Sequence, residues 1–164
     1  MMLNVTVGDI VLCDDDTIVN AANEFLAPGG GVCGAIHQAA GPGLAAACRA
    51  IGHCDTGSAV ITAAFNLKCR AVIHAVGPRW VDGTHREAQL LEQCYQSIFR
   101  LVQEHHFNSV AVPAISTGIY GFPFQEAASI AVATAKRQGT LLKNVRITFV
   151  CFSKEAAEAY HQLI

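Results

Sequence analysis

The chain is expected to fold as a three-layer α/β/α sandwich around a mixed, largely parallel sheet. Three observations carry this. Short β-branched and apolar runs alternate with helical periodicities through the second half. Several of those runs are apolar on both faces, as strands covered from both sides are. With 164 residues, 52% of them hydrophobic and 15% charged, the chain has core material for one domain spanning 1–164 and little tendency to disorder. No linker-like stretch, internal repeat or low-complexity segment divides it.

Leu3-Asn4-Val5-Thr6-Val7 alternates as a strand does, and Gly8-Asp9 ends it. Thr17-Ile18-Val19 is a short buried strand running into Asn20-Ala21-Ala22-Asn23. Gly34 to Ala40 and Leu44 to Ile51 read as helices separated by Gly41-Pro42-Gly43. Ser58 to Thr62 and Ala71 to Val76 are two further strands, the second stopped by Gly77-Pro78. Apolar residues at 88, 90, 91, 94, 95, 98, 99, 101 and 102 make Thr84 to His105 an amphipathic helix, with Thr84 as its cap and Glu87 three residues on. Ser109 to Ile115 is a strand entering Ser116-Thr117-Gly118, Phe124 to Arg137 a helix, Val145 to Cys151 the last strand and Lys154 to Leu163 the last helix.

Ligands of open α/β sheets sit beyond the carboxyl ends of the strands. The loops after Val7, Val19, Ile115 and Val150 carry the residues of interest. After Val19 come two asparagines, then Pro28-Gly29-Gly30-Gly31-Val32, then a helix start. Small residues let backbone approach a ligand, helix-start amides attract anions, and Asn amides both donate to and accept from sugar hydroxyls. This pattern suits a phosphorylated, ribose-bearing molecule. Net charge is −2, so no broad nucleic-acid footprint is expected, while backbone amides bind phosphate without formal charge. Seven cysteines, an odd count with no C-x-x-C, give neither a disulfide framework nor a zinc site and suit free thiols in a reducing, cytoplasmic setting. No membrane span, metal or cofactor is expected.

The ordered set Gly8-Asp9-Ile10, Val19 to Asn23, Gly29 to Val32, Gly34-Ala35-Ile36-His37, Ala40-Gly41-Pro42, Thr56-Gly57, Val72 to Pro78 and Pro113 to Pro123 closely resembles the macrodomains, in particular the MacroD-type branch. The resemblance spans essentially the whole chain. It implies ADP-ribose binding, with removal of ADP-ribose from protein carboxylates or deacetylation of O-acetyl-ADP-ribose. It implies ADP-ribose, O-acetyl-ADP-ribose and ADP-ribosylated proteins as partners, and the chain is expected to act as a monomer. Asp9 would accept from the adenine amino group, and Ile10 would offer its backbone. Asn20 would brace the pocket or else only cap its own loop, and Asn23 would bind the distal ribose. Gly29, Gly30, Gly31 and Val32 would line that ribose and the phosphates. Ser116, Thr117, Gly118, Ile119 and Tyr120 would wrap the diphosphate from the other side, with Tyr120 against the ribose. Phe152 would cover the adenine or else sit in the core. His74 reads as a core histidine and His37 as structural.

One position departs from the branch. Where the segment Gly-Val-Asp-Gly-Ala-Ile carries an aspartate credited with orienting the attacking water, this chain has Cys33. A neutral thiol is a weak acceptor. Three outcomes stand open: a substrate phosphate orients the water; Cys33 is activated by its helix start and by His37, four residues on; or the domain reads ADP-ribose without cleaving it. The catalytic candidates are Asn23, Cys33 and Tyr120.

Overall fold

The computed structural model describes residues 1–164. Its elements run β1 (Met2–Val7), β2 (Thr17–Ala21), α1 (Gly31–Ala40), α2 (Pro42–Ile51), β3 (Ala59–Ala63), β4 (Ala71–Ala75), α3 (Glu87–Glu104), β5 (Ser109–Pro113), α4 (Phe124–Arg137), β6 (Arg146–Cys151) and α5 (Lys154–His161). One six-stranded sheet has the order β1-β6-β5-β2-β4-β3. Only the β3–β4 pair is antiparallel, so the sheet is mixed and largely parallel, as expected.

Alternation along the strands sorts the core into two layers. Val19, Ile73, Val112 and Phe149 face α3, α4 and α5, packing with Leu91, Tyr95, Phe99, Ala128 and Tyr160. Their neighbours Ile18, Val72, Ala111 and Val150 face the other way, with Ile36 of α1 and Leu44 of α2. A period of two on a covered sheet dictates this division. No helix is long and apolar enough to cross a membrane. All seven cysteines are free thiols and six of them are buried.

Three expectations are corrected. The α3 helix begins at Glu87, not Thr84, because Arg86 adopts a left-handed conformation at the N-cap (φ 61°). The Thr84 hydroxyl turns back to Asp82, and capping is done by Glu87. Its carboxylate accepts from the amides of Val81, Asp82, Gly83 and His85. Burial pushes the Glu87 carboxyl up, but these amides outweigh it and hold it down to about 2. Asn20 lies within β2, paired with His74 of β4, where the sequence suggests a loop. The α1 helix starts three residues early, at Gly31, so Cys33 sits inside its first turn and does not precede it.

Candidate active site

Strands β1, β6, β5 and β2 are adjacent and mutually parallel, which brings the four loops expected from sequence to one edge. At the outer end, the Gly8 amide donates to the Cys151 carbonyl at 3.0 Å, tying the exits of β1 and β6 together. Asp9 is exposed there. Its Oδ1 accepts from the Val11 amide at 3.1 Å and caps a single 3-10 turn, Ile10–Leu12. The Ile10 amide donates to no group of the protein. Phe152 is 81% exposed, which removes the core alternative. With Asp9, Ile10, Gly31, Val32 and Ala35 it lines a cavity of about 280 Å³.

From this end a cleft runs between two small-residue loops. The amides of Gly30, Gly31, Val32 and Cys33 donate to no protein acceptor, as the first turn of a helix requires. Across from them, the amides of Ser116, Gly118, Ile119 and Tyr120 are likewise free. The loops nearly touch: the Ile119 Cδ1 lies 3.5 Å from where a Cβ on Gly30 would stand. Two close approaches hold them. A Cβ at Gly34 would lie 2.5 Å from the Gly29 carbonyl oxygen, so only a bare Cα lets the loop fold back on α1. A Cβ at Gly77 would lie 2.2 Å from Ser116 Oγ, so the exit of β4 packs directly on the second loop. Ser116 itself is left-handed (φ 69°) and buried. Below it, the Tyr95 hydroxyl accepts from the Ile115 amide at 3.4 Å, anchoring the loop to α3. Such strain, held by surrounding packing, is typical of built binding loops.

Asn23 is engaged with its own loop. Its Oδ1 accepts from the Phe25 and Ala27 amides, each at 3.1 Å, and its Nδ2 donates to the Ala27 carbonyl at 2.9 Å. One Nδ2 proton remains without a protein acceptor. The Cys33 thiol donates to the Ala27 carbonyl at 3.7 Å. No hydrogen bond joins it to His37, so the histidine activation considered from sequence is not formed. His37 is buried, its Nδ1 lacks a partner, and burial lowers its pKa.

Asn20 is 1% exposed and sits within β2 beneath Cys33 of α1. Its Nδ2 donates to His74 Nδ1 at 3.0 Å and approaches Cys33 Sγ at 3.7 Å. His74 Nε2 meets the Thr62 hydroxyl at 2.9 Å, and that hydroxyl donates to the Ala63 carbonyl. A neutral imidazole protonated at Nε2 satisfies this chain from Thr62 to Cys33. Burial, then the neighbouring His37, lowers the His74 pKa from 6.5 to about 4. The unfolded chain takes up this proton near pH 6.5, the folded chain only near pH 4. Stability is therefore lost as pH falls from about 6.5 to 4, by roughly 3 kcal/mol. Urea unfolding at pH 7.0 and 4.5 should show this loss in the wild type and a smaller loss in His74→Gln; equal losses would refute the assignment.

Tyr120 lies at the inner end of the cleft, with Arg79 stacked over its ring at 4.8 Å. Its carbonyl accepts from the Trp80 amide at 2.8 Å. Arg79 and Trp80 are missed from sequence, where Gly77-Pro78 reads only as a strand stop. Their position just past the carboxyl end of β4, next to β2 in the sheet, is the signal that points to them.

Comparison with known proteins agrees with this geometry. The Macro domain family model matches residues 19–131. An O-acetyl-ADP-ribose deacetylase of Salmonella gallinarum is 50% identical over 99% of this chain and 93% of its own length. A macro domain-containing protein of Chlorobaculum tepidum is 44% identical over 100% of the chain and 96% of its own length. Among solved structures, a mutant Oceanobacillus iheyensis macrodomain with ADPR superposes with a TM-score of 0.92 at 39% identity, covering 98% of this chain and 90% of that one. The Trypanosoma brucei macrodomain in complex with ADP-ribose gives 0.90 at 32% identity, covering 98% and 68%. The ordered motifs, the six-stranded sheet and these matches together establish that the chain belongs to the macrodomain family.

Proposed function

We infer that this protein binds ADP-ribose and hydrolyses ADP-ribosyl esters, with O-acetyl-ADP-ribose as a substrate. The observation that carries the reading is the cleft itself: two facing rows of unbonded backbone amides, with a carboxylate and an exposed aromatic ring at one end. Fixed amides stabilise a diphosphate without lysine. Asp9 then accepts from an adenine amino group, Ile10 offers its free amide, and Phe152 covers the base. Asn23, held rigid by its loop, directs its remaining Nδ2 proton toward the distal ribose, and Tyr120 closes the far side. Gly30, Gly31, Val32, Ser116, Gly118 and Ile119 fix the phosphates between them, while Thr117, expected there from sequence, donates both its amide and its hydroxyl to the Ala114 carbonyl. Curated relatives named O-acetyl-ADP-ribose deacetylase, 48–50% identical over nearly the whole chain, support the same chemistry.

Without an aspartate at position 33, water must be oriented by the substrate. A phosphate oxygen beside the distal ribose takes that part, and positioning by the cleft supplies most of the acceleration. Attack falls on the acetyl carbonyl of O-acetyl-ADP-ribose, or on C1 of the distal ribose in carboxylate-linked ADP-ribosylated proteins, which we take as further substrates. Seven free thiols suit a reducing, cytoplasmic compartment, and the cleft is complete within one chain, in keeping with a monomer. A second reading, an ADP-ribose reader without turnover, is favoured by one observation: the Cys33 thiol points its proton at Ala27 and offers water only a weak acceptor. The two readings part on incubation with O-acetyl-ADP-ribose and with an aspartate- or glutamate-linked ADP-ribosylated protein. A hydrolase releases acetate or free ADP-ribose, and Asn23→Ala lowers that release by roughly 10-fold or more. No release, with binding intact, leaves a reader.

A further inference from the structure

A second cavity, of about 240 Å³, is bordered by Tyr120, the last residue of the second loop. Glu24, Thr56, Pro78, Arg79, Leu90 and Tyr120 are among its lining residues. Gly77 also borders it and is the residue that packs against Ser116, so the cavity continues directly from the cleft. The adenine end, at Asp9 and Phe152, belongs to a different cavity. A nucleotide laid along the cleft from Asp9 therefore ends with its distal ribose at Tyr120, and whatever that ribose carries enters this second space.

Arg79 has no ionic partner in that space, although Glu24, His85 and Glu87 line it too. The arginines engaged in ion pairs are Arg70, Arg100, Arg137 and Arg146. Arg79 is in none of them; its guanidinium is steadied only by the Tyr120 ring. The carboxylate of Glu87, in the same cavity, is taken by four loop amides and leaves Arg79 without a partner. Glu24 is exposed and forms no ion pair with it. A guanidinium steadied over an aromatic ring and bonded to nothing else keeps its N–H donors for a planar oxygen pair.

We propose that Arg79 and the cavity bordered by Tyr120 form the subsite for the acyl group, binding the ester carbonyl and then the carboxylate it becomes. The proposal rests on the hydrolase reading above and names the part of the substrate that reading leaves unplaced. Both routes of hydrolysis end at the same anion. When water attacks C1, its oxygen bonds to that carbon, the C1–O bond breaks and its electron pair leaves on the carboxylate, with one water proton passing to solvent. When water attacks the carbonyl, the ribose oxygen leaves and takes a proton, and the acid formed ionises at neutral pH. Either way a carboxylate appears in the cavity that holds the unpaired Arg79. The cavity takes an acetyl group or the end of an Asp or Glu side chain.

The test compares wild type, Arg79→Gln and Arg79→Lys in two measurements: hydrolysis of O-acetyl-ADP-ribose, and calorimetry with ADP-ribose, which lacks the acyl group. Arg79 is exposed, so both variants should fold. Arg79→Gln should lower kcat/KM roughly 10- to 100-fold and change ADP-ribose affinity less than about threefold, with Arg79→Lys in between on hydrolysis. Unchanged hydrolysis by Arg79→Gln overturns the subsite. So does a parallel loss of ADP-ribose affinity, which would mean that Arg79 merely props Tyr120. Failure of the wild type to bind ADP-ribose overturns the underlying reading, and the subsite with it; binding without turnover leaves a reader and removes the hydrolase reading together with the subsite, whereas turnover unaffected by Arg79→Gln removes the subsite alone.

Discussion

Cys33→Asp should raise the rate of ester hydrolysis about 100-fold or more, since one positioned general base is worth roughly 100- to 10,000-fold. The side chain stands in the first turn of α1, within 3.7 Å of Asn20 Nδ2. A carboxylate there keeps the Asn20 donor and faces the positive end of the helix, which favours it by about 0.3–1 kcal/mol. It loses the donation to Ala27 and must face that carbonyl, a cost of similar size. The site therefore tolerates the change, and water gains a full acceptor in place of a thiol. Cys33→Ala separates the remaining possibilities: with the water oriented by the substrate it keeps turnover within a few-fold of wild type, whereas a chemical role for the thiol abolishes it. Single-turnover rates on O-acetyl-ADP-ribose decide both. If Cys33→Asp is no faster than wild type, the aspartate position is not what limits this enzyme.

Gly34→Ala should weaken ADP-ribose binding about 100-fold while leaving the fold nearly as stable. Its new Cβ would lie 2.5 Å from the Gly29 carbonyl, which is backbone and cannot rotate away. The loop must shift, carrying the amides of Gly30, Gly31 and Val32 off their common target. Losing two charge-assisted hydrogen bonds at about 1.5 kcal/mol each amounts to about 3 kcal/mol, or roughly 150-fold. The stability side nearly cancels: alanine is better than glycine within a helix by about 1 kcal/mol, against overpacking of about 1–3 kcal/mol. Calorimetry and thermal melting of the same preparation separate the two effects. Undiminished affinity would mean that the glycine loop does not hold the phosphates.

The order of elements and the edge that bears the site were legible because they rest on local signals. Apolar runs mark the strands, glycines mark the exits, and the parallel topology then places four exits side by side. Asp9, the glycine run and Ser116 to Tyr120 all fall where that logic puts them. What escaped depends on partners distant in sequence. Thr84 looks like a helix cap, but Glu87 closes the turn from inside the helix because its carboxylate gathers four amides. Asn20 looks like a loop residue, but pairing with His74, 54 positions away, draws it into the sheet. The chain of contacts from Thr62 to Cys33 crosses three strands and a helix, and no spacing announces it. Arg79 follows a Gly-Pro that explains itself as a strand stop, so its place over Tyr120 emerges only in three dimensions.

The proposed function rests on peptide amides from two bends holding a diphosphate without any charged side chain. Titration of the purified protein with free ADP-ribose in a calorimeter, repeated at low and high salt, is the decisive check. Heat should saturate at one molecule per chain and the affinity should weaken little as salt rises, since no lysine or arginine supplies the grip. An absence of heat, or an affinity that collapses with salt as a cationic site would, contradicts that picture.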